Sequence, residues 1–133
     1  MTCPFCEPKQ RILKENEHAY VLLSNPRKKP GHFLVIPKRH VEKPWELEDK
    51  EILSVYELIN FVEQRVVKEL ATGVDLRQHC RPFLREGRTK VNHVHYHIFP
   101  RTLNDELHQH NTEDDLWEDL SPEEHDRIAK LLE

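Results

Sequence analysis

An α+β fold in a single domain is what this 133-residue chain predicts, and three observations carry that expectation. Short β-forming runs sit early and late in the chain, one long stretch repeats its apolar residues at helical spacing, and a capped helix closes the C-terminus. The organisation expected is one domain over residues 1–133. It divides into a core at 1–101 that opens with a cysteine knuckle, and an acidic tail with a C-terminal helix at 102–133. A chain of this length with 37% hydrophobic residues can bury a modest core.

The first β-forming runs are "HAYVLL" (His18 to Leu23) and "HFLVIP" (His32 to Pro37), with the turn-rich "SNPRKKPG" between them. That pattern predicts an antiparallel hairpin. From Asp49 to about Thr72, Ile52, Tyr56, Ile59, Val62, Val66 and Leu70 recur at helical intervals and Gly73 follows as a stop. "RQHCRPFL" (Arg77 to Leu84) reads as a weaker strand, because Pro82 removes a ladder donor. "EGRT" then turns the chain into a histidine-bearing strand. Past Arg101 the acidic segment to Leu120 predicts an extended or loosely helical tail. Ser121, Pro122 and Glu124 form a capping-box start for a last helix whose apolar side is Ile128, Leu131 and Leu132.

Charge narrows the function classes. Twenty basic and 24 acidic side chains give a formal net charge of −4, with the signs interspersed. That argues against general binding to a nucleic-acid backbone. No run approaches the ~18 apolar residues of a membrane span, and "MTCPFCEPKQR" lacks the zones of a secretory signal. A soluble cytoplasmic protein is expected. Cys3 and Cys6, in Cys-Pro-Phe-Cys, are too few for a disulfide framework and suit a metal clip or a redox pair. Cys80 reads as an ordinary small buried residue.

The segment "VNHVHYHIFPR" (Val91 to Arg101) carries His93, His95 and His97 at two-residue spacing. On a strand these three share one face at roughly 7 Å intervals while Val94, Tyr96 and Ile98 face the core. A row of imidazoles over an apolar floor suits a phosphate chain. Histidines facing water at alternate positions are the plainer reading, which three in strict register beside a CxxC disfavour. A neighbouring pair could instead hold a catalytic zinc with an open position, but three consecutive same-face residues span too far to share one ion.

"HVHYHIFPR" resembles the His-φ-His-φ-His-φ-φ signature of the histidine triad family of nucleotide hydrolases and transferases. "PGHFLVIPKRHVE" (Pro30 to Glu42) is similar to that family's upstream hairpin strand, so the resemblance covers about Cys3 to Arg101. It implies a five-stranded antiparallel sheet with one long helix, pairing into a homodimer, and a nucleotide bound beside the triad. It also implies that His95 attacks the α-phosphorus, and that His97 stabilises phosphate oxygens or assists the leaving group. In the family's zinc-containing members the matching ligands are Cys3, Cys6, His40 and His93, a closed structural site. The chemistry is sound in itself, since a neutral imidazole held through one nitrogen presents a nucleophilic lone pair on the other. His32, His79, His108, His110 and His125 have no motif partner and read as solvated.

The departures from the family pattern bear on substrate. The ribose-binding Asp or Asn of the family is matched here, eight residues before His32, by Ser24, with Asn25 beside it. The approach to the triad is Gly87-Arg88-Thr89-Lys90-Val91. Arg88 and Lys90 add positive charge next to the expected phosphate path, with Thr89 between them. "FPR" and the continuing tail look like the dinucleoside polyphosphate hydrolase branch, and histidine rather than glutamine at position 97 argues against the nucleotidyltransferase branch. The resemblance therefore implies hydrolysis of dinucleoside polyphosphates, with structural zinc and with magnesium possible alongside the substrate. A phosphoramidase of the same fold, a zinc-dependent hydrolase and a non-catalytic nucleotide sensor are the alternatives.

Overall fold

The computed structural model describes residues 3–105 and 117–133. Five strands make one antiparallel sheet: β1 (Lys14–Glu15), β2 (Ala19–Leu23), β3 (Phe33–Pro37), β4 (Gly73–Gln78) and β5 (Tyr96–Arg101), in the order β1-β2-β3-β5-β4. Among the described residues two α-helices complete it, α1 (Asp49–Glu69) and α2 (Pro122–Ala129), with 3₁₀ turns at Pro44–Glu46 and Lys130–Leu132. The α+β class and the implied five-stranded sheet are therefore present. No helix among the described residues is long and apolar enough to cross a membrane.

Strands β2 and β3 read as unbroken apolar runs because both of their faces are covered. On one face Ala19, Val21, Leu23, Phe33, Val35 and Ile98 pack against Val55, Leu58, Ile59, Val62 and Val66 of α1 and against Ile128, Ala129 and Leu132. On the other, Tyr20, Leu22, Leu34 and Ile36 meet Phe5 and Ile12 from the N-terminal segment. Burying such side chains stabilises by roughly 1.5–3 kcal/mol each, so the helical layer holds the sheet. Leu34 pairs with His97 and Phe33 with Ile98, so His97 lies on the face opposite α1.

Several local expectations are corrected. The buried stripe of α1 runs through Glu51, Ser54, Val55, Leu58, Ile59, Val62 and Val66, whereas Ile52 and Tyr56 are exposed. Ile59, Val62 and Val66 are buried as expected, whereas the start of the stripe falls one position earlier than expected, at Val55 and Glu51. The Glu51 carboxylate closes a reciprocal capping box with Glu48 and takes a two-pronged ion pair from Arg39 at 2.8 and 3.0 Å. The helix ends at Glu69, and Gly73 opens β4 rather than merely stopping the helix. The fourth strand is Gly73–Gln78, not Arg77 to Leu84, and Pro82 sits in the loop beyond it. Of the acidic tail, residues 106–116, with His108 and His110, lie outside the described residues. The part that follows is extended, and Glu118 bridges Arg27. Ser121 caps α2 by accepting from the Glu124 amide, but the Glu124 carboxylate binds Arg27 instead of closing a box.

Gly31 has φ +85°, and a Cβ there would lie 2.5 Å from Leu70 and 2.8 Å from Pro100. Only glycine fits this close turn. The turn delivers His32 to the start of β3.

Candidate active site and metal centre

Strand β5 begins at Tyr96, so only His97 of the three is laddered; His93 lies in a bend, and the Val94 amide between His93 and His95 donates to the Val41 carbonyl at 2.7 Å. Val94 and Ile98 are buried and Tyr96 is half-buried, as expected of the inward set. The three imidazoles do not form a uniform row. The rings of His95 and His97 stand 4.8 Å apart, while His93 is turned away and buried against the cysteines.

Backbone groups dictate where each ring carries its proton. The Pro37 carbonyl lies 2.8 Å from His93 Nε2 and can only accept, so His93 is protonated there and its Nδ1 lone pair points to Cys3 and Cys6. The His93 carbonyl lies 2.7 Å from His95 Nδ1, which must be the protonated nitrogen, so His95 Nε2 is a free lone pair. The Lys28 amide donates to His32 Nδ1 at 3.1 Å, which leaves the proton of neutral His32 on Nε2. His32 Nε2 donates in turn to His97 Nδ1 at 2.8 Å, so His97 carries its proton on Nε2. Burial keeps these rings neutral: it lowers His95 to about 4 and His32 to about 3, and holds His97 well below the usual histidine range.

His95 and His97 line a cavity of about 480 Å³. Leu22 and Leu34 form an apolar wall, residues 4, 5 and 7–10 form a second, and Ser24 and Asn25 a third. The Ser24 hydroxyl donates to the Pro26 carbonyl at 2.7 Å, leaving its oxygen as an acceptor. The Asn25 side-chain oxygen accepts from the Leu120 amide, leaving the amide NH₂ to donate. Arg88 and Thr89 reach the cavity, although Arg88 is already paired with Asp119 at 2.6 Å. Lys90 does not join them: its ammonium binds Asn92, and it borders a separate cavity of about 40 Å³.

Cys3, Cys6, His40 and His93 place one ligand atom each within 4.8 Å of one another. Their closest S···N separations, 3.2 to 3.5 Å, fit the edge of about 3.5 Å that a tetrahedral zinc with Zn–S ~2.3 Å and Zn–N ~2.0 Å requires. The donor set is the two-thiolate, two-imidazole type that zinc favours. His93 is oriented by Pro37, and His40 Nε2 faces Glu42 at 3.4 Å.

A family model described as "HIT domain" matches residues 6–104. The chain belongs to the HIT family. It is 36% identical over 105 residues to an uncharacterised HIT-like protein of Methanocaldococcus jannaschii, covering 74% of this chain and 78% of that one. It is 31% identical over 106 residues to the adenosine 5'-monophosphoramidase of Schizosaccharomyces pombe, covering 76% and 75%. A zinc-bound histidine triad protein of Mycobacterium smegmatis shares the HIT fold, with a TM-score of 0.70, 20% identity and coverage of 99% and 91%.

Two side chains at the candidate site escaped the sequence reading. His32, expected to be solvated, is fully buried and bonded to His97. Its position at the head of an apolar run was the available signal. Trp117, from the tail, borders the cavity beside His32 with Lys28 over its ring at 5.0 Å, and no local pattern marks it. Cys80, expected to be buried, is half-exposed in the loop after β4. His79 is exposed, yet its ring stands 5.6 Å from His97.

Protein purified without a metal-affinity tag should carry about one zinc per chain, and Cys3→Ser should lower metal content and thermal midpoint together. His97→Ala should leave the zinc in place, which elemental analysis will show. Acid lability has its own test. His32 ionises near 3 when folded against an ordinary 6.5, so between these values the unfolded chain takes up a proton that the folded chain refuses. The stability contributed by neutral His32 is complete above about pH 6.5 and is lost as pH falls towards 3. Thermal midpoints should fall across that window, and the slope should be shallower in His32→Gln. Equal slopes would assign the lability elsewhere.

Proposed function

We propose that this HIT protein hydrolyses nucleotidyl substrates at the α-phosphorus through a covalent nucleotidyl-His95, with dinucleoside polyphosphates as its substrate class. The observation that carries the reading is the bond from His95 Nδ1–H to the His93 carbonyl, which leaves Nε2 as an unprotonated nucleophile at the cavity. Leu22 and Leu34 receive the base, Ser24 and Asn25 the ribose, and Arg88 and Thr89 the phosphates. Lys90, expected among the phosphate-binding residues, is bound to Asn92 at a separate cavity and is left out of this set. His95 Nε2 bonds to the α-phosphorus as the phosphoanhydride bond breaks, and the departing nucleoside polyphosphate keeps the electron pair. Water then adds to phosphorus and gives up a proton to solvent, the P–N bond breaks, its electrons return to Nε2, and a nucleoside monophosphate leaves.

The charge state of His97 supports an anhydride substrate. As a neutral ring with its proton on Nε2, it offers a hydrogen bond to a phosphoryl oxygen but is a weak acid. A polyphosphate can depart without being protonated, whereas an amine cannot. Magnesium would enter with the polyphosphate as part of the substrate. Zinc at Cys3, Cys6, His40 and His93 would supply a closed structural link and no open coordination position, which disfavours a zinc-hydroxide hydrolase. The likeness to the Schizosaccharomyces pombe phosphoramidase favours a second reading, with an adenosine phosphoramidate as substrate.

His95→Ala should abolish turnover while keeping zinc and nucleotide binding, and rapid quench should trap an acid-labile nucleotidyl adduct in the parent protein alone. Two displacements predict net retention at an α-phosphorothioate made chiral with heavy oxygen, so inversion would refute the covalent route. Diadenosine tetraphosphate should be cleaved faster than an adenosine phosphoramidate. The reverse order makes the protein a phosphoramidase, and tight binding without turnover of either makes it a sensor.

We further infer a homodimer, from family membership. Exposed Ile52, Leu53 and Tyr56 on α1 and the outer edge of β4, unpaired among the described residues, with exposed Leu76, support it. Light scattering at micromolar concentration should give twice the 16.0 kDa chain mass; the single-chain mass would contradict it.

A further inference from the structure

We propose that Phe5 is a positioning residue for His95, and that metal occupancy of the cysteine knuckle thereby sets both nucleotide affinity and the rate of attack. The inference rests on the nucleotidyl-hydrolase reading above and adds to it a residue and a dependence.

Phe5 lies between the two thiols, and its ring stands edge-on 5.0 Å from His95 and 6.0 Å from His93. It is thus wedged between the ring that would hold metal and the ring that would attack phosphorus. Its carbonyl accepts from the buried Tyr20 hydroxyl, and its side chain packs on Tyr20, Leu22, Leu34 and Ile36, the apolar cluster that floors the cavity. Pro4, Phe5, Glu7, Pro8, Lys9 and Gln10 all line that cavity, and Gln10 is pinned to the Leu23 carbonyl at 2.7 Å. One wall of the cavity is therefore the knuckle itself.

Among the described residues, the remaining ties on that wall are few. The backbone of the described N-terminal segment joins the sheet from Leu13, whose amide donates to the Val21 carbonyl at 2.9 Å, and through two-residue β1. Ahead of it, residues 3–10 are held by turn bonds from the Cys6 and Glu7 amides to the Cys3 carbonyl, by Tyr20, by Gln10 and by the thiol contacts with His40 and His93. A bound metal converts those thiol contacts into coordinate bonds that fasten Phe5 against His95. Without it, ordering the wall costs conformational entropy that must come out of the nucleotide's binding free energy. A ring left free to turn also presents Nε2 to phosphorus for less of the time.

The test uses the full chain with AMP as the probe. Zinc-loaded protein should bind AMP by calorimetry. Chelator-stripped protein, its fold checked by circular dichroism, should bind about tenfold more weakly and recover on adding zinc. Should stripping unfold the chain, Phe5→Ala still decides at full occupancy. It should keep about one zinc per chain and lower the single-turnover rate of adduct formation about tenfold, a larger loss than in its AMP affinity. Phe5→Leu, which restores bulk, should recover part of that rate. Zinc-replete Phe5→Ala forming adduct within about twofold of the parent rate, or stripped folded protein binding AMP unchanged, would overturn the proposal. A parent protein that neither binds AMP nor forms adduct would bring down the hydrolase reading, and this inference with it.

Discussion

Everything chemical in this molecule depends on how main-chain groups hold the histidines. Carbonyls of Pro37 and His93, and the amide of Lys28 acting through His32, take up one nitrogen of each imidazole. Each ring then has one predetermined nitrogen left to use. His93 offers a lone pair to the cysteines, His95 offers a lone pair to the cavity, and His97 offers a proton. Three identical side chains present different atoms to their surroundings because the groups that hold them differ. Burial keeps all of them neutral, so these assignments persist across the physiological range.

The scaffold that makes this possible is the hairpin of β2 and β3. One of its faces is sealed by α1 and α2, which leaves the other free to be a site floor. The same hairpin supplies Leu22, Ser24, Asn25, His32 and Leu34, and its turn anchors the returning tail through Arg27 to Glu118 and Glu124. The N-terminal knuckle and the tail residue Trp117 therefore meet over one cavity although they are separated by most of the chain. The cavity walls come from segments with little regular structure of their own, and their positions depend on side-chain anchors rather than ladders.

Much of the architecture was legible because it obeys short-range periodicity. The hairpin, the long helix and the capped last helix follow from runs and spacings that local physics constrains. The errors are equally physical. Periodicity places Ile52 and Tyr56 on the core side because it cannot tell a buried stripe from one a residue away, whereas Val55, Leu58, Ile59, Val62 and Val66 form the face that packs on the sheet. The fourth strand lay earlier than expected because Gly73 serves the sheet edge rather than a loop.

What the amino-acid order determined by itself was the chemistry available: two thiols at knuckle spacing, a histidine triplet with apolar residues between, and a hairpin long enough to carry them. These are local patterns, and spacing along the chain bears directly on them. Only the tertiary structure decided the use of each group. It turned His93 away from its neighbours to join Cys3, Cys6 and His40, set Phe5 against His95, and buried His32 behind His97. It also tied Arg88 to Asp119 and sent Lys90 to another cavity, so charge counted along the loop did not all reach the site. Those outcomes rest on contacts between residues far apart in the chain and on hydrogen bonds to particular carbonyls and amides, which no spacing rule encodes.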